Sequence, residues 1–352
     1  SGQKQSLPTS FATRLTGAKW GAGLNAKFTD GFVYSDAQVD DARLVVENAK
    51  DAKRRGVDIR VGGAFVSAKR VGEHWEARLR DAHGIESVVT ARAIVNAAGP
   101  WVKSLLTSID TPPTKETVKH IKGSHLIVPR VHAENHAYIL QNKDGRIVFV
   151  IPYLDRFSLI GTTDVEVRDF DAPHISDEET KYLLALANSY LASPISEDDV
   201  ESTYAGVRPL YDDGDDDPSA ITRDYTLKLD TANGGAPLLN IYGGKITTYR
   251  KLAEHALDKL LPSFPHASRA SWTDTSLQSG ANAAALTNVQ KTLAQLGVHA
   301  SYAALLVARY GLDALSVCGE SASSLGQVFD DVLSEREIEY LRDHEWAKSV
   351  DS

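Results

Sequence analysis

Residues 237–261 combine residue types that suit the binding of an electron-rich group. An apolar strand runs into Gly243 and Gly244, Lys245 follows, and apolar spacing predicts a helix from Ile246 to Leu261. Paired glycines let a ligand approach the backbone, and the first N–H groups of a helix are free to donate hydrogen bonds. The pattern therefore indicates a cofactor cradle, with a tight turn that only redirects the chain as the alternative.

The residues before 114 must position one side of such a cradle, and their pattern is typical of the later half of a dinucleotide-binding domain. The expected elements are, in order, a helix over 39–55, a strand over 57–61, antiparallel strands over 75–89 and a buried strand over 92–98. The last strand ends in Gly99, Pro100 and Trp101. No Gly-x-Gly-x-x-Gly follows a strand in the sequence, so the usual element for holding a pyrophosphate on a helix is not found.

Residues 122–225 show short β-rich runs separated by turn residues. The expected elements are strands over 124–129, 137–141, 146–152, 157–161 and 204–211, with a helix over 176–191. A mostly antiparallel sheet of this kind is a suitable shelf for substrate groups. After Pro262 the chain becomes rich in Ala and Leu with helical spacing, which predicts a small helical domain.

The composition excludes several classes of protein. The chain has 352 residues with 42% hydrophobic and 24% charged residues, as ordinary soluble proteins do. A net charge of −9 argues against a nucleic-acid-binding protein, which would present a basic surface. No apolar run approaches the roughly 20 residues that span a bilayer, and no signal-peptide pattern opens the chain. We therefore expect a cytoplasmic protein.

Seven motifs, in order and at similar spacing, resemble those of the family of aerobic, FAD-dependent glycerol-3-phosphate dehydrogenases. They lie at residues 34–45, 96–102, 121–125, 160–164, 206–210, 221–225 and 243–250. The resemblance implies an enzyme that oxidises sn-glycerol 3-phosphate to dihydroxyacetone phosphate by hydride transfer to FAD, with electrons passed on to a quinone. A related possibility is a glycerol-3-phosphate oxidase, which passes the electrons to oxygen.

The resemblance also implies a mixed α/β fold that pairs a flavin domain with an antiparallel substrate sheet. The domains expected are an irregular arm (1–27), a partial FAD-binding, Rossmann-like domain (28–114), an antiparallel substrate domain (115–235), a return to the FAD-binding domain (236–262) and a helical carboxyl-terminal domain (263–352).

Three residues suit the substrate that the resemblance implies. Arg208 and Arg223 can bind phosphate oxygens or a developing alkoxide, because a guanidinium is a permanently charged planar fork. Either arginine could instead hold its loop to a carboxylate such as Asp224. His125 is the candidate general base, since imidazole titrates near the working pH; a lone histidine is otherwise more often a core residue.

The cofactor-binding residues expected on the same basis surround the opening pattern. Lys245 could neutralise the substrate phosphate or the anionic edge of the reduced flavin. Thr247 and Thr248 begin the helix, where their N–H groups could face the pyrimidine side of the ring, or the two threonines could be plain N-caps. Gly99 and Pro100, together with Gly243 and Gly244, complete the expected set.

Three further signals predict no metal or nucleophile. His132 and His136 lie four residues apart, but Glu134 is out of register for a zinc helix and no third ligand is evident. The acidic run 212–217 lacks the glutamate that closes a calcium loop, since Arg223 stands in its place. The single cysteine, Cys318, excludes an internal disulfide and is expected to pack in a core.

The chain also departs from the family in ways that matter for activity. Family members begin with a strand and a glycine-rich phosphate loop, followed by a segment with a further substrate-binding arginine and tyrosine. Neither is found here, the carboxyl terminus stops short, and the sequence contains no Met, so we expect missing sequence upstream. A catalytically silent fragment that cannot hold FAD is the alternative to an active enzyme. The implied partners are glycerol 3-phosphate, a quinone and the inner face of the cell membrane, with peripheral attachment, and a homodimer is left open.

Overall fold

The structure is a computed structural model that describes residues 7–112, 114–212, 224–267, 273 and 282–349. The strands are β1 (Phe11–Arg14), β2 (Asp30–Val33), β3 (Ala64–Val71), β4 (His74–Arg80), β5 (Glu86–Ala91), β6 (Ile94–Asn96), β7 (Val118–Pro129), β8 (Tyr138–Gln141), β9 (Ile147–Tyr153), β10 (Phe157–Gly161), β11 (Val165–Glu166), β12 (Ser202–Tyr211), β13 (Tyr225–Asp230), β14 (Leu238–Gly243), β15 (Val328–Phe329) and β16 (Leu333–Ser334).

The helices are α1 (Asp41–Arg54), α2 (Val102–Leu106), α3 (Asp177–Tyr190), α4 (Tyr249–Leu260), α5 (Ala283–Gln295), α6 (Ala300–Tyr310), α7 (Ala314–Cys318) and α8 (Glu335–His344). Short 3₁₀ turns at Gly99–Trp101 and Ile246–Thr248 follow β6 and β14. The combination of sheets and helices confirms the mixed α/β class that the sequence predicts.

The strand predicted over 57–61 is wrong, and the end of α1 explains why. The amide of Val57 donates to the carbonyl of Ala52 at 3.0 Å, and Gly56 takes a φ of +93°. This is the Schellman closure of a helix, so the first residue of the supposed strand is used to satisfy a helix carbonyl. Val57 and Val61 are about half exposed and lie in no strand.

The first of two compact units contains the described residues within 1–37, 67–77 and 89–265. Its largest sheet is antiparallel, with β7 at the centre. One edge of β7 pairs with β12, and the other edge pairs with β10 and then β11. β9 and β8 extend the sheet beyond β10. Three strands of the sheet, β10, β11 and β12, therefore pair directly with β7.

One face of this sheet is the core of the first unit. Side chains such as Leu126, Val128 and Ile160 are fully buried there and pack against Leu183 and Ala187 of α3. Because side chains alternate along a strand, the residues between these core positions point to the opposite face. That opposite face of β7 carries the histidine that the sequence singles out.

The second sheet of this unit has three strands in the order β13-β14-β6, and β14 pairs with β6 in parallel. The pairing brings the segment after residue 236 back beside the strand that ends near Gly99. Residues 11–14, which the sequence places in an irregular arm, are a strand that pairs with β2 over residues 30–33. Part of that arm is therefore held by a ladder rather than left irregular.

The second unit contains the described residues within 38–66, 78–88 and 266–352. Its core lies among α5, α6, α7 and α8, and Cys318 is buried in it, as expected. α1 belongs to this unit: Lys50 is buried and pairs with Asp313 at 2.8 Å and Glu345 at 3.0 Å. The sequence assigns α1 to the flavin domain, because partners so distant along the chain leave no local pattern.

Candidate functional site

The face of the sheet opposite the core brings together the residues expected to act on a substrate. In the β7–β12 ladder, three directly opposed pairs lie on this face: Tyr204 with His125, Gly206 with Gly123, and Arg208 with Ile121. Successive pairs on one face are two residues apart, or roughly 7 Å. His125 and Arg208 therefore stand on either side of a pair of glycines.

This pair of glycines leaves an open depression at Gly206, whereas the position over Gly123 is filled. A Cβ built on Gly206 would meet no atom within 4 Å, so the space above this residue is open. A Cβ on Gly123 would lie 2.5 Å from Nη2 of Arg208 and 2.5 Å from Oγ1 of Thr162. The guanidinium thus lies over Gly123 beside the open space, which suits a small substrate with a charged end.

His125 is half-buried and held by its neighbours in both adjacent strands. Its ring stacks on Tyr204, with ring centroids 4.7 Å apart and planes inclined by 12°. On the other edge of β7 it faces Gly161, where a Cβ would overlap the imidazole. The ring orientation is therefore fixed by packing, as a general base requires.

Arg208 is about one third exposed and is oriented by the segment between β10 and β11. Its Nη1 pairs with Oδ1 of Asp164 at 2.9 Å, and its Nη2 donates to the carbonyl of Thr163 at 3.1 Å. Two of the five N–H groups of a guanidinium are thus directed at this segment. A carboxylate therefore anchors Arg208, while about one third of its side chain stays exposed.

The carboxyl ends of β6 and β14 are the second part of the candidate site. The two parallel strands are joined through their side chains, since Nδ2 of Asn96 donates to Oδ1 of Asn240 at 3.0 Å. Ligands of open α/β sheets bind outside such carboxyl ends. The chain leaves β6 towards Gly99 and leaves β14 towards Gly244.

The turn at Gly99 and Pro100 meets the large sheet. Gly99 has a φ of +57° and open space where its Cβ would be. The carbonyl of Pro100 lies 2.9 Å from Nε2 of His120 on β7, and the indole of Trp101 donates to Asp171 at 2.7 Å. The expected cofactor residues at this turn therefore lie at the edge of the substrate sheet.

Gly243 and Gly244 are needed for the packing of their own turn, a role that the sequence pattern does not predict. A Cβ on Gly243 would lie 2.9 Å from the carbonyl oxygen of Asp224, and a Cβ on Gly244 would lie 2.9 Å from a methyl of Leu252. Both glycines also have positive φ, of +71° and +110°. They first make room for the protein's own turn, and a ligand would approach from their exposed side.

The start of α4 differs from a plain capped helix. Lys245 and Thr247 are exposed, and the carbonyl of Lys245 accepts from both the amide (3.1 Å) and the hydroxyl (3.0 Å) of Thr248. Within the described part of the chain, no side chain caps the helix. The capping alternative is therefore wrong for Thr248, whose hydroxyl braces the turn that presents Lys245.

Arg223 and residues 213–217 of the acidic run lie outside the described residues. The rings of His132 and His136 stack with centroids 4.7 Å apart. In the ranges that the structure describes, no three metal-binding side chains form a group.

The described residues fit one part of a flavin dinucleotide. The exposed Gly244–Lys245 turn and the open Gly99 lie at the adjacent ends of β14 and β6. A flavin ring that packs against backbone needs two such exposed turns side by side. The relaxed spacing Gly-x-Gly-x-x-Ala occurs at residues 21–26, but it follows a 3₁₀ turn and leads into no helix. A Cβ on Gly23 would lie 2.9 Å from the carbonyl of Val131, so this glycine serves packing. A pyrophosphate site is not found among the residues described.

Sequence reasoning missed two features of the site. Gly123, Gly161 and Gly206 stand inside strands, where glycine often marks a close approach, and that signal could have been used. The buried Glu179 of α3 carries only a helix-start signal in the sequence. Its contacts across the sheet could be seen only in the fold.

Known proteins share this arrangement of sequence and fold. The chain matches the family model described as FAD dependent oxidoreductase over residues 3–250. It is 43% identical over 364 residues to the aerobic glycerol-3-phosphate dehydrogenase of Escherichia coli (strain K12), which covers 99% of this chain and 70% of that protein. It is 37% identical over 363 residues to the D-erythritol 1-phosphate dehydrogenase of Brucella abortus (strain 2308), covering 99% and 71%.

A solved structure shows the same fold. The glycerol-3-phosphate dehydrogenase from Bacillus halodurans complexed with FAD is 27% identical, with a TM-score of 0.76 over 92% of this chain and 65% of that one. The chain thus spans 65% to 71% of the length of these three proteins.

Proposed function

Because the chain belongs to the FAD dependent oxidoreductase family, we propose that it oxidises sn-glycerol 3-phosphate to dihydroxyacetone phosphate. The single observation that carries this proposal is the open depression over Gly206, with the guanidinium of Arg208 beside it over Gly123 and His125 on the other side. FAD supplies the acceptor for the hydride that leaves C2. The guanidinium of Arg208 extends over Gly123, which is two strand positions from His125, so the two groups can reach a phosphate and a neighbouring secondary alcohol of one small substrate.

The side chains at the depression have separate roles in binding the substrate and removing its proton. Arg208 binds the phosphate dianion through the N–H groups that Asp164 and Thr163 leave to it. The imidazole of His125 takes the hydroxyl proton as the hydride leaves, so the carbon gains a carbonyl without forming a free alkoxide. Arg223 and Lys245 belong to the proposal as further phosphate-binding cations.

The proposed cofactor site uses the two adjacent strand ends. Gly99 and Pro100 on one side, and Gly243 to Lys245 on the other, would border the flavin ring. The N–H group of Thr247 at the start of α4 would favour negative charge on that ring, since the amino end of a helix is positive. The amide of Thr248, which belongs to the same expected set, already donates to the carbonyl of Lys245. Absorbance of bound flavin in the purified protein tests this step first; a colourless protein would support the silent-fragment alternative.

A second substrate calls for a direct comparison, because the chain is 37% identical to a D-erythritol 1-phosphate dehydrogenase along 99% of its length. The two substrates share a phosphate that Arg208 would bind, and they differ in the length of the polyol. The test is kcat/KM for glycerol 3-phosphate and for D-erythritol 1-phosphate, measured by anaerobic bleaching of the flavin. A higher value for the tetritol would overturn glycerol 3-phosphate as the substrate.

The electron acceptor is a further part of the proposal. We propose a quinone, reached by peripheral attachment to the inner face of the cell membrane, as the sequence resemblance implies. In the part of the chain that the structure describes, no helix is long and apolar enough to cross a membrane. Turnover with a soluble quinone, against peroxide release in air, separates a dehydrogenase from an oxidase. Lipid flotation tests the attachment, and light scattering tests a homodimer.

A further inference from the structure

The carboxylate of Glu179 lies on the core side of the large sheet, yet its contacts lead to the catalytic side. We propose that Glu179 is a positioning residue that holds Arg208 ready for the substrate phosphate. The inference rests on the proposed function, because it assigns to Arg208 the binding of an anion. Its physical basis is a short chain of hydrogen bonds through Thr163.

Glu179 is 6% exposed, and hydrogen-bond donors surround its carboxylate. Oε1 accepts from the hydroxyls of Ser124 (2.8 Å) and Thr163 (2.6 Å), and Oε2 pairs with Nζ of Lys122 (2.7 Å) and accepts from the amide of Ser176 (2.9 Å). Burial alone would raise the pKa of this carboxyl, but the hydrogen bonds lower the pKa to about 2. The carboxylate therefore stays charged at any working pH.

The link to the catalytic side passes through one residue. Thr163 is 2% exposed; its hydroxyl donates to Glu179 and accepts from the amide of Ser124 at 3.0 Å. Its carbonyl accepts from Nη2 of Arg208, and the next residue, Asp164, holds Nη1. Both acceptors of the guanidinium thus belong to the segment that Glu179 fixes.

The same carboxylate also steadies the strand beneath the histidine. Ser124 and His125 are consecutive in β7, so their side chains point to opposite faces of the sheet. Ser124 is bound to Glu179 through its hydroxyl and to Thr163 through its amide. The buried carboxylate of Glu179 therefore fixes both the Thr163–Asp164 segment, which holds Arg208, and Ser124, which precedes His125 in β7.

A second capping box in the chain provides a matched control. Ser176 and Glu179 form such a box at the start of α3, and Ser334 and Glu337 form another at the start of α8. Glu337 is fully buried and pairs with Nη1 of Arg309 at 3.0 Å. Its contacts lie within the helical unit, so its loss should affect stability without affecting an anion site elsewhere.

The experiment compares Glu179→Gln with Glu337→Gln in the flavin-loaded enzyme. Inorganic phosphate is titrated calorimetrically, KM and kcat for glycerol 3-phosphate are measured, and Tm is recorded. The amide introduced by Glu179→Gln would turn a donor towards Lys122 or towards Thr163, which loosens the segment. We expect E179Q to raise Kd for phosphate and KM about tenfold, or about 1.4 kcal/mol, whereas E337Q lowers Tm and leaves both constants unchanged.

A double mutant shows whether the effect passes through the arginine. In an Arg208→Lys background, which no longer presents a fork to the Thr163–Asp164 segment, E179Q should change Kd by less than about twofold. If E179Q does not fold, Thr163→Val breaks the same link, and Thr163→Ser should restore it.

The results separate two failures. Phosphate binding without turnover of any polyol phosphate would overturn the proposed function but leave the comparison of variants valid. Equal effects of E179Q and E337Q on Kd, a persistent effect in the lysine background, or no phosphate binding by the wild type would each overturn the role of Glu179.

Discussion

The imidazole of His125 lies against the Cα of Gly161, so close that a Cβ at residue 161 would overlap the ring. The two residues are directly opposed in the β7–β10 ladder. On the other edge of β7 the ring stacks on Tyr204, the opposed residue of β12. The ring of His125 thus lies between Gly161, which has no side chain, and the ring of Tyr204. Each of these two neighbours can be changed by mutation.

Gly161→Ala is expected to lower both stability and kcat. The new methyl must displace the imidazole or the strand, and overpacking of this kind typically costs about 1–3 kcal/mol. Urea unfolding and steady-state kinetics measure the two effects. Gly206→Ala is the matched control: its methyl meets open space, so stability should hold while KM rises because the depression is partly filled.

The two glycine variants must differ for this account of the site to stand. If Gly161→Ala retained wild-type kcat, contact with residue 161 would not set the position of His125. If Gly206→Ala retained wild-type KM, the substrate would not lie over Gly206.

Tyr204→Leu is expected to lower kcat about two- to tenfold, since the loss of an aromatic pair costs about 0.5–1.5 kcal/mol and frees the ring of His125. Tyr204→Phe keeps the stacked ring and should retain most of the activity. The ratio of kcat values for the two variants is the decisive measurement, with KM expected to change little. Equal losses in both would assign the effect to the hydroxyl of Tyr204 rather than to the stack.

The sequence predicts β8, β9, β10, β12 and the helix α3 to within two residues at each end, because period-two patterns and a capping box are local signals. It predicts only the last six residues of β7 and does not predict β11. It predicts His125 and Arg208 as site residues only through motif resemblance. What it does not predict is the pairing of residues distant along the chain: Arg208 is anchored by Asp164, not by Asp224, the carboxylate that the sequence pattern offers as an example.

The strand glycines are a second case in which the sequence predicts a feature but not its surroundings. Each of Gly123, Gly161 and Gly206 can be recognised as unusual in a strand, but which one is covered and which is open depends on the register of β7 with two neighbours. Register is set by the whole ladder and its core face, and a single strand does not reveal it.

Acid should destabilise the fold through His132, which is 8% exposed. Burial, together with His136 and the charge of Arg130, lowers the pKa of His132 to about 4, against the opposing charge of Glu134. In the unfolded chain His132 binds a proton near pH 6.5, whereas in the folded chain it binds one only near pH 4. The free energy of unfolding should therefore fall as the pH drops through this window.

His132→Phe removes this titration while keeping an aromatic ring beside His136 and Tyr138. Its unfolding free energy should fall less than that of the wild type between about pH 7 and about pH 5. His83→Gln, at an exposed histidine, is the control and should follow the wild type. Parallel pH dependence in wild type and His132→Phe would assign the acid sensitivity to other groups.

Arg208→Lys should reduce kcat/KM for glycerol 3-phosphate far more than it reduces stability. A lysine keeps the charge, but it cannot hold Asp164 and Thr163 while presenting a planar fork to the phosphate, so a loss on the order of 10- to 100-fold is expected, mainly in KM. Arg70→Lys is the matched control, because Arg70 also pairs with a carboxylate, that of Asp230, at 2.9 Å in the same unit. That control should lower Tm without changing KM. Equal changes of KM in both variants would mean that Arg208 acts as an ordinary structural ion pair, and the phosphate would then have to be bound elsewhere.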